Sequence, residues 1–295
     1  MKIGMSLPTM AKGFTSASFR SWCRAIDEGP YSSISAGERL TFVNPELLTS
    51  LAAAAALTSR VDIFANLVVA PLHPPAVLAK ELATIDVLSE GRLVVGLGVG
   101  GRPHDYQAAG VAWTRRHQQV DDMALALRAI WSGASAFDGA DPVGPSPVRE
   151  GGPKLVAGAM GASSMARAAV WADGVTGFAL TGTTAEFLEP AALAKSAWRA
   201  AGRSEEPWLG SGTFCVLGVP DATAVLHRFG ADYLSFFGTE VANSIASRLD
   251  VATPDALRRV IDDAEAAGLD ELTVVPGTWD LACLRAIDAV VGERT

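Results

Sequence analysis

The chain has 295 residues, 49% hydrophobic and 19% charged, with a formal net charge of −8. That length buries a full core and the apolar content excludes disorder, while Lys and Arg are scattered without a basic run, which excludes a nucleic-acid backbone as partner. Cys23, Cys215 and Cys283 are odd in number and far apart, with neither CxxC spacing nor a secreted disulfide framework, so they read as reduced thiols.

Met1 to Pro8 reads as a strand and lacks the long apolar core of a signal peptide, and later apolar runs are broken by Pro, Gly or charge before they could cross a bilayer. A cytoplasmic protein without membrane contact is the expectation. Along the chain, Lys2 to Leu7 is a first strand, Phe19 to Glu28 a helix, and Tyr31 to Ala36 a second strand. Pro45 to Thr58 is an Ala-rich helix with Pro45 in its first turn, Val61 to Ala70 a third strand, and Pro74 to Leu88 a helix closed by Ser89-Glu90-Gly91. Leu93 to Val99 is the fourth strand, Gln119 to Trp131 a helix, and Phe137 to Gly152 a long surface loop rich in Gly, Pro and Asp. Strands follow at Lys154 to Ala159, Gly174 to Leu180, Trp208 to Val219 and Leu272 to Pro276, with helices at Ser163 to Ala172 and Pro190 to Ala201. Helical segments at Ala224 to Phe237 and Pro254 to Ala267 exceed one crossover, so extra helices are expected between strands seven and eight.

Eight strands alternating with helices match an α/β, (β/α)8 barrel occupying residues 1–295 as one domain, although a doubly wound open sheet would give a similar local pattern.

Gly96 to Gly101 (GLGVGG) follows the fourth strand, where glycine lets backbone approach a flat or anionic ligand; it reads equally as a tight turn, since it fits neither GxGxxG nor a P-loop. Gly158-Ala159-Met160-Gly161 lies between a strand and a helix, where N–H groups and the helix dipole favour a phosphate, with Ser163 and Ser164 either capping the helix or touching the anion. Glu38 and Arg39 follow the second strand and fall on the active face of a barrel, as a surface ion pair or as groups acting on a bound anion. The four histidines show no metal-ligand spacing, no GxSxG elbow occurs, and His73 between Leu72 and Pro74 reads as a packed loop residue rather than a base.

Several segments together resemble the luciferase-like monooxygenase family, including its branch dependent on coenzyme F420, a deazaflavin. They are Met1 to Pro8 (MKIGMSLP), Glu38 to Pro45 (ERLTFVNP), Ser59 to Gly101 with PLHPPAVLAKELATIDVLSEGRLVVGLGVGG as its most distinctive stretch, Lys154 to Gly161, and Ala172-Asp173-Gly174. The resemblance implies a flavin-type cofactor, F420 or FMN, across the C-terminal mouth of the barrel. It places Ala65, Asn66 and Leu67 under the ring at a bulge with a non-prolyl cis peptide. Gly98, Gly100 and Gly101 become cofactor walls with Gly158, Ala159, Met160 and Gly161, the latter group at the phosphate, and Gly177 and Phe178 a further edge. Glu38 and Arg39 are then the catalytic candidates.

Family members that oxidise sugar phosphates carry a His after the second strand, a nearby Trp, and an acid after the fourth-strand glycines. This chain has Arg39 and Arg102 there, and Gly98 near the reactive Cys of bacterial luciferase, so neither sugar-phosphate dehydrogenation nor light emission is implied. The expected reaction is hydride transfer between reduced F420 and a small organic substrate. An FMN-dependent monooxygenase fed by a separate reductase is the alternative, and a catalytically silent flavin-binding protein the third. A homodimer is the expected assembly.

Overall fold

The computed structural model describes residues 1–294. Eight parallel strands close on themselves in sequence order: β1 Lys2–Ser6, β2 Ser33–Ala36, β3 Asp62–Val69, β4 Leu93–Gly98, β5 Lys154–Gly158, β6 Gly174–Phe178, β7 Trp208–Cys215 and β8 Glu271–Pro276. Closure comes from β1 pairing with β8, Lys2 opposite Glu271 and Met5 opposite Val274. The open-sheet alternative is thereby excluded, and each strand expected from the sequence is present. No helix among the described residues is long and apolar enough to cross a membrane.

Local chemistry explains most helix boundaries. Helix α1 (Ser16–Glu28) begins at a Thr15 cap, whose hydroxyl accepts from the Ser18 N–H while Ser18 Oγ accepts from the Thr15 N–H. It buries Phe19, Trp22, Cys23 and Ile26, one face at helical spacing. Helix α2 (Leu47–Leu57) starts later than the sequence suggested, because Glu46 caps it by accepting from the Leu48 and Thr49 N–H groups, leaving Pro45 outside. Helix α3 (Pro75–Leu88) ends in a left-handed turn at Glu90 and Gly91.

The next helices are α4 (Pro103–Ala109), which the sequence reading did not contain, α5 (Arg116–Trp131) and α6 (Ala162–Trp171). The clearest boundary error is α7 (Thr184–Ala200), read from the sequence as Pro190 to Ala201. The helix starts six residues earlier because the Glu186 carboxylate gathers the N–H groups of Leu180, Thr181 and Thr183, and Pro190 lies inside it. Between β7 and β8 the expected excursion comprises α8 (Ala222–Leu234), a 3-10 turn Ser235–Phe237, α9 (Thr239–Ala246) and α10 (Pro254–Ala266); α11 (Leu281–Gly292) closes the ring.

The barrel interior is packed with bulky side chains set against glycines. Trp208 meets Phe64 edge to face, and a Cβ on Gly210 would come within 2.4 Å of the Trp208 ring. Burying such large side chains contributes roughly 1.5–3 kcal/mol each. The three cysteines are buried and unpaired, and burial pushes the Cys23 thiol up to about 12 and that of Cys283 up to about 11.

Candidate active site

At the C-terminal ends of the strands a cavity of about 420 Å³ opens, within the range of small-molecule sites. Its floor is shaped by a break in β3. The pairing of β3 with β4 shifts register between Ala65 and Val68, and the Asn66–Leu67 peptide is cis, as the resemblance implied. Thr176 Oγ1 donates to Asn66 Oδ1 (3.3 Å) from across the barrel, and the Glu38 N–H donates to the Leu67 carbonyl (3.2 Å). The first contact holds the bulge from the opposite wall and the second from the loop after the neighbouring strand β2.

The glycines around it serve the protein first. A Cβ on Gly98 would lie 2.9 Å from Leu67 Cδ1, and one on Gly158 only 2.4 Å from Leu67 Cδ2. Glycine at both positions leaves a niche that the Leu67 side chain fills, which flattens the floor. Ala65 is fully buried, paired with Ala36 and Val95, whereas Asn66 and Leu67 reach the cavity. Gly100, with a left-handed φ of 62°, and Gly101 border the cavity on the β4 side, Gly177 and Phe178 on the β6 side.

Gly158 and Met160 line that cavity and also, with Gly98 and Gly161, a second hollow of about 250 Å³ at the start of α6, shared with buried Ala159 and with His117 and Arg167. Ser164 turns out to serve the helix start, accepting from the Gly161 N–H (3.2 Å) and donating to its carbonyl (2.8 Å), while Ser163 is exposed. Arg167 pairs with Asp121, which also accepts from the Trp171 indole (3.0 Å).

Glu38 and Arg39 both line the mouth but do not pair with each other. Glu38 Oε2 accepts from the Val69 N–H (2.6 Å), and Oε1 meets His73 Nε2 at 2.8 Å. Burial alone would lower the His73 pKa, but the Glu38 hydrogen bond and charge, helped by Glu81 and Glu46, raise it above its ordinary value. His73 is thus a packed loop residue as read, though one locked to a candidate catalytic carboxylate. Glu38, with both oxygens occupied, is a positioning group that ties the β2 and β3 loops together.

Arg39 is held differently. Its Nη1 donates to the Tyr233 carbonyl (2.7 Å) and its guanidinium lies 3.6 Å from the Tyr233 ring centroid, 4.8 Å from Phe42 and 5.4 Å from Phe236. No carboxylate among the described residues forms an ion pair with it. Burial first, and then the nearby Arg102 charge, pull it below its ordinary pKa.

Arg102 reaches the same rim. It donates to the Thr41 carbonyl (3.0 Å) and lies 5.5 Å from Phe42 and 5.6 Å from Phe236. Asp105 Oδ1 is 3.7 Å from Arg102 Nε, too far for a hydrogen bond, and it accepts from the Thr41 N–H (2.8 Å) and hydroxyl instead. Arg102 Nε and Nη1 are buried without a hydrogen-bond partner.

Sequence reasoning missed Tyr233 and Phe236, which come from the excursion nearly two hundred residues beyond Arg39. The aromatic cluster Tyr233 to Phe237 was the available signal.

The luciferase-like monooxygenase family profile matches residues 1–291. An uncharacterized protein of Mycobacterium tuberculosis is 33% identical over 195 residues, covering 63% of this chain and 67% of that protein. Among solved structures, monooxygenase RslO1 from Streptomyces bottropensis superposes with a TM-score of 0.80 at 21% identity, covering 100% of this chain and 99% of the other. An F420-dependent secondary alcohol dehydrogenase in complex with an F420-acetone adduct gives 0.80 at 15% identity, covering 99% and 97%. The FMN complex of the oxygenating constituent of 3,6-diketocamphane monooxygenase from Pseudomonas putida gives 0.72 at 16%, again covering 99% and 97%. These structural likenesses establish the fold, and the profile match across nearly the whole chain establishes descent: the chain belongs to the luciferase-like monooxygenase family, whose members are oxidoreductases.

Proposed function

We propose that the protein is an F420-dependent oxidoreductase that moves hydride between the deazaflavin and a small organic substrate. The observation that carries this reading is the mouth floor: a bulged β3 presenting Asn66 and Leu67 level with the glycines of β4 and β5, under a cavity walled by Phe178 and Phe214. A planar ring fits such a floor because no side chain projects from Gly158 or Gly177 into it. Asn66 and Leu67 would support the ring, Gly177 and Phe178 border its edge, and Gly158 to Gly161 at the α6 N-terminus take the phosphate. When bound, the deazaflavin supplies two-electron hydride chemistry that side chains lack.

The residues of the chain orient and polarise. Arg39 stays protonated at working pH and offers fixed positive charge, not a proton. Glu38, held by Val69 and His73, fixes the loop that presents Arg39. A silent binding protein is disfavoured by two guanidinium groups converging on one rim. The FMN-dependent monooxygenase remains the second reading, favoured by the apolar walls at Phe178, Phe214 and Val275, which would exclude water during oxygenation.

Titration of the purified protein with F420 and with FMN, followed by absorbance and fluorescence, tests the choice. F420 is expected to bind about tenfold or more tightly than FMN. Tighter FMN binding, with oxygen uptake stimulated by substrate, would establish the monooxygenase. At the phosphate end, a Cβ on Gly161 meets nothing within 4 Å, so Gly161→Glu should fold normally and weaken cofactor binding about tenfold. Unchanged affinity would make that turn purely structural.

A further inference from the structure

We propose that Arg39 and Arg102 form a carboxylate-binding cleft on the rim of the mouth, so that the substrate is a small apolar or aromatic acid. This rests on the reading of the mouth as the reaction site and adds the chemical class of the molecule that enters it.

The charge balance around the rim carries the argument. Four ionisable groups line this side of the cavity: Glu38, Arg39, Arg102 and Asp105. Glu38 is occupied by the Val69 N–H and His73 and forms no ion pair with either arginine. The Asp105 oxygen nearest to Arg102 accepts two bonds from Thr41. Two guanidinium groups therefore share one carboxylate, 3.7 Å from Arg102 Nε, and Arg102 keeps two buried nitrogens with no hydrogen-bond acceptor. An excess of positive charge on a desolvated rim is costly, and an incoming carboxylate, accepting from guanidinium N–H groups at the cavity and placing its negative charge beside both arginines, offsets it. Lys12 does not alter the balance, since it pairs with Asp232 at 2.8 Å.

The body of the ligand follows from what surrounds the charges. Phe42 and Phe236 lie between the two guanidiniums, and Phe178, Phe214 and Tyr233 form a run with centroid distances of 4.5 Å and 5.0 Å. Aromatic faces hold the arginines by cation–π contact and leave edges and faces for an apolar ligand. A hydrophilic sugar phosphate would find few partners on these walls. A flat acid satisfies both halves.

Benzoate and benzamide, nearly identical in shape and different in charge, test the cleft by isothermal titration calorimetry on the cofactor-free protein and on protein saturated with F420. Benzoate is expected to bind about tenfold or more tightly than benzamide, and to weaken in about 0.5 M sodium chloride. Arg39→Gln and Arg102→Gln should each weaken benzoate about tenfold with benzamide unaffected, and Arg39→Lys should restore part of the loss. Equal binding of the two probes by the wild-type protein overturns the proposal without any variant having to fold. Arg39→Gln and Arg102→Gln variants that keep wild-type benzoate affinity, with circular dichroism confirming the fold, overturn it as well. If the same variants instead lose F420 affinity and keep benzoate affinity, the arginines serve cofactor charge and the carboxylate assignment fails. Failure of F420 to bind at all overturns the cofactor reading alone, because the benzoate measurement on cofactor-free protein is independent of it.

Discussion

The two ends of the barrel treat charge in different ways. At the end where the strands begin, several ionised side chains tie loop backbone to strand backbone. Arg92 donates to the carbonyls of Val61 (2.5 Å) and Thr58 (2.9 Å), Arg60 to those of Tyr31 (2.7 Å) and Gly29 (2.7 Å), and Arg149 to that of Gly91. Asp27 accepts from the N–H groups of Ser59, Arg60 and Val61, Asp173 from Leu155 and Arg128, and Asp270 from Leu209. At the mouth, Arg39 and Arg102 each make one hydrogen bond to a carbonyl and lie against aromatic rings, and Arg102 has Asp105 at 3.7 Å without a hydrogen bond to it. Charge at the closed end stitches loops to strands; at the mouth Glu38 and Asp105 do the same, and the two guanidiniums keep N–H groups without an acceptor among the described residues. The division matches the general tendency of such barrels to place stability at one face and chemistry at the other.

Breaking a stitch should have the largest effect. Arg92→Ala leaves the Val61 and Thr58 carbonyls without their donor and is expected to cost about 2–4 kcal/mol, read by urea denaturation, with cofactor affinity of the folded protein unchanged. A shift in affinity instead of stability would erase the distinction between the ends. Gly158→Ala probes the mouth floor. The new Cβ would displace the end of the Leu67 side chain into the cavity, so overpacking of about 1–2 kcal/mol should be accompanied by a clear drop in F420 affinity. Stability loss without an affinity change would mean that the floor does not touch the ring.

The smallest effect concerns Glu271, buried at the closed end, where Ser33 donates to Oε1 (2.6 Å). Burial raises its carboxyl above the ordinary value of 4.5, although the Ser33 hydrogen bond opposes this. A raised folded-state value means that its contribution to stability is complete below the unfolded value and is lost as pH rises through the folded one. Glu271→Gln keeps the acceptor for Ser33 and removes that titration. Stability at pH 7 should rise by about 1 kcal/mol and its decline above the ordinary carboxylate range should flatten, as thermal melts across pH will show. An unaltered pH profile would show that Glu271 is solvated in the same way folded and unfolded.

The parts of this arrangement that were legible in the sequence are those set by short-range chemistry. Continuous apolar runs marked each strand, and glycines after β4 and β5 marked the mouth, because backbone pairing and steric clearance act over a few residues. The start of α7 was misplaced because the Glu186 capping network, which collects donors from Leu180, Thr181 and Thr183, lies outside the helix expected from Pro190. The bulge at Asn66–Leu67 came from resemblance, since no periodicity distinguishes it from its neighbours. Glu38 with His73, and Arg39 with Tyr233, are partnerships between segments joined only by barrel closure, so residue type suggested function while its division between positioning and charge waited for the fold. The motif Ala172-Asp173-Gly174 was quoted for its family likeness, and the structure gives Asp173 the physical task of joining β5 and β6 to α5.

The stacking of Arg39 between Tyr233, Phe42 and Phe236 has a consequence for the entropy of recognition. A free arginine side chain surveys many rotamers, and immobilising it at the moment of capture would cost roughly 1.5–2 kcal/mol. Here the aromatic rings and the Tyr233 carbonyl restrict it during folding, when the excursion between β7 and β8 docks against the rim. The conformational freedom of that guanidinium is therefore a cost of folding the chain and not of meeting a ligand, which leaves the rim rigid, charged and preorganised before anything arrives.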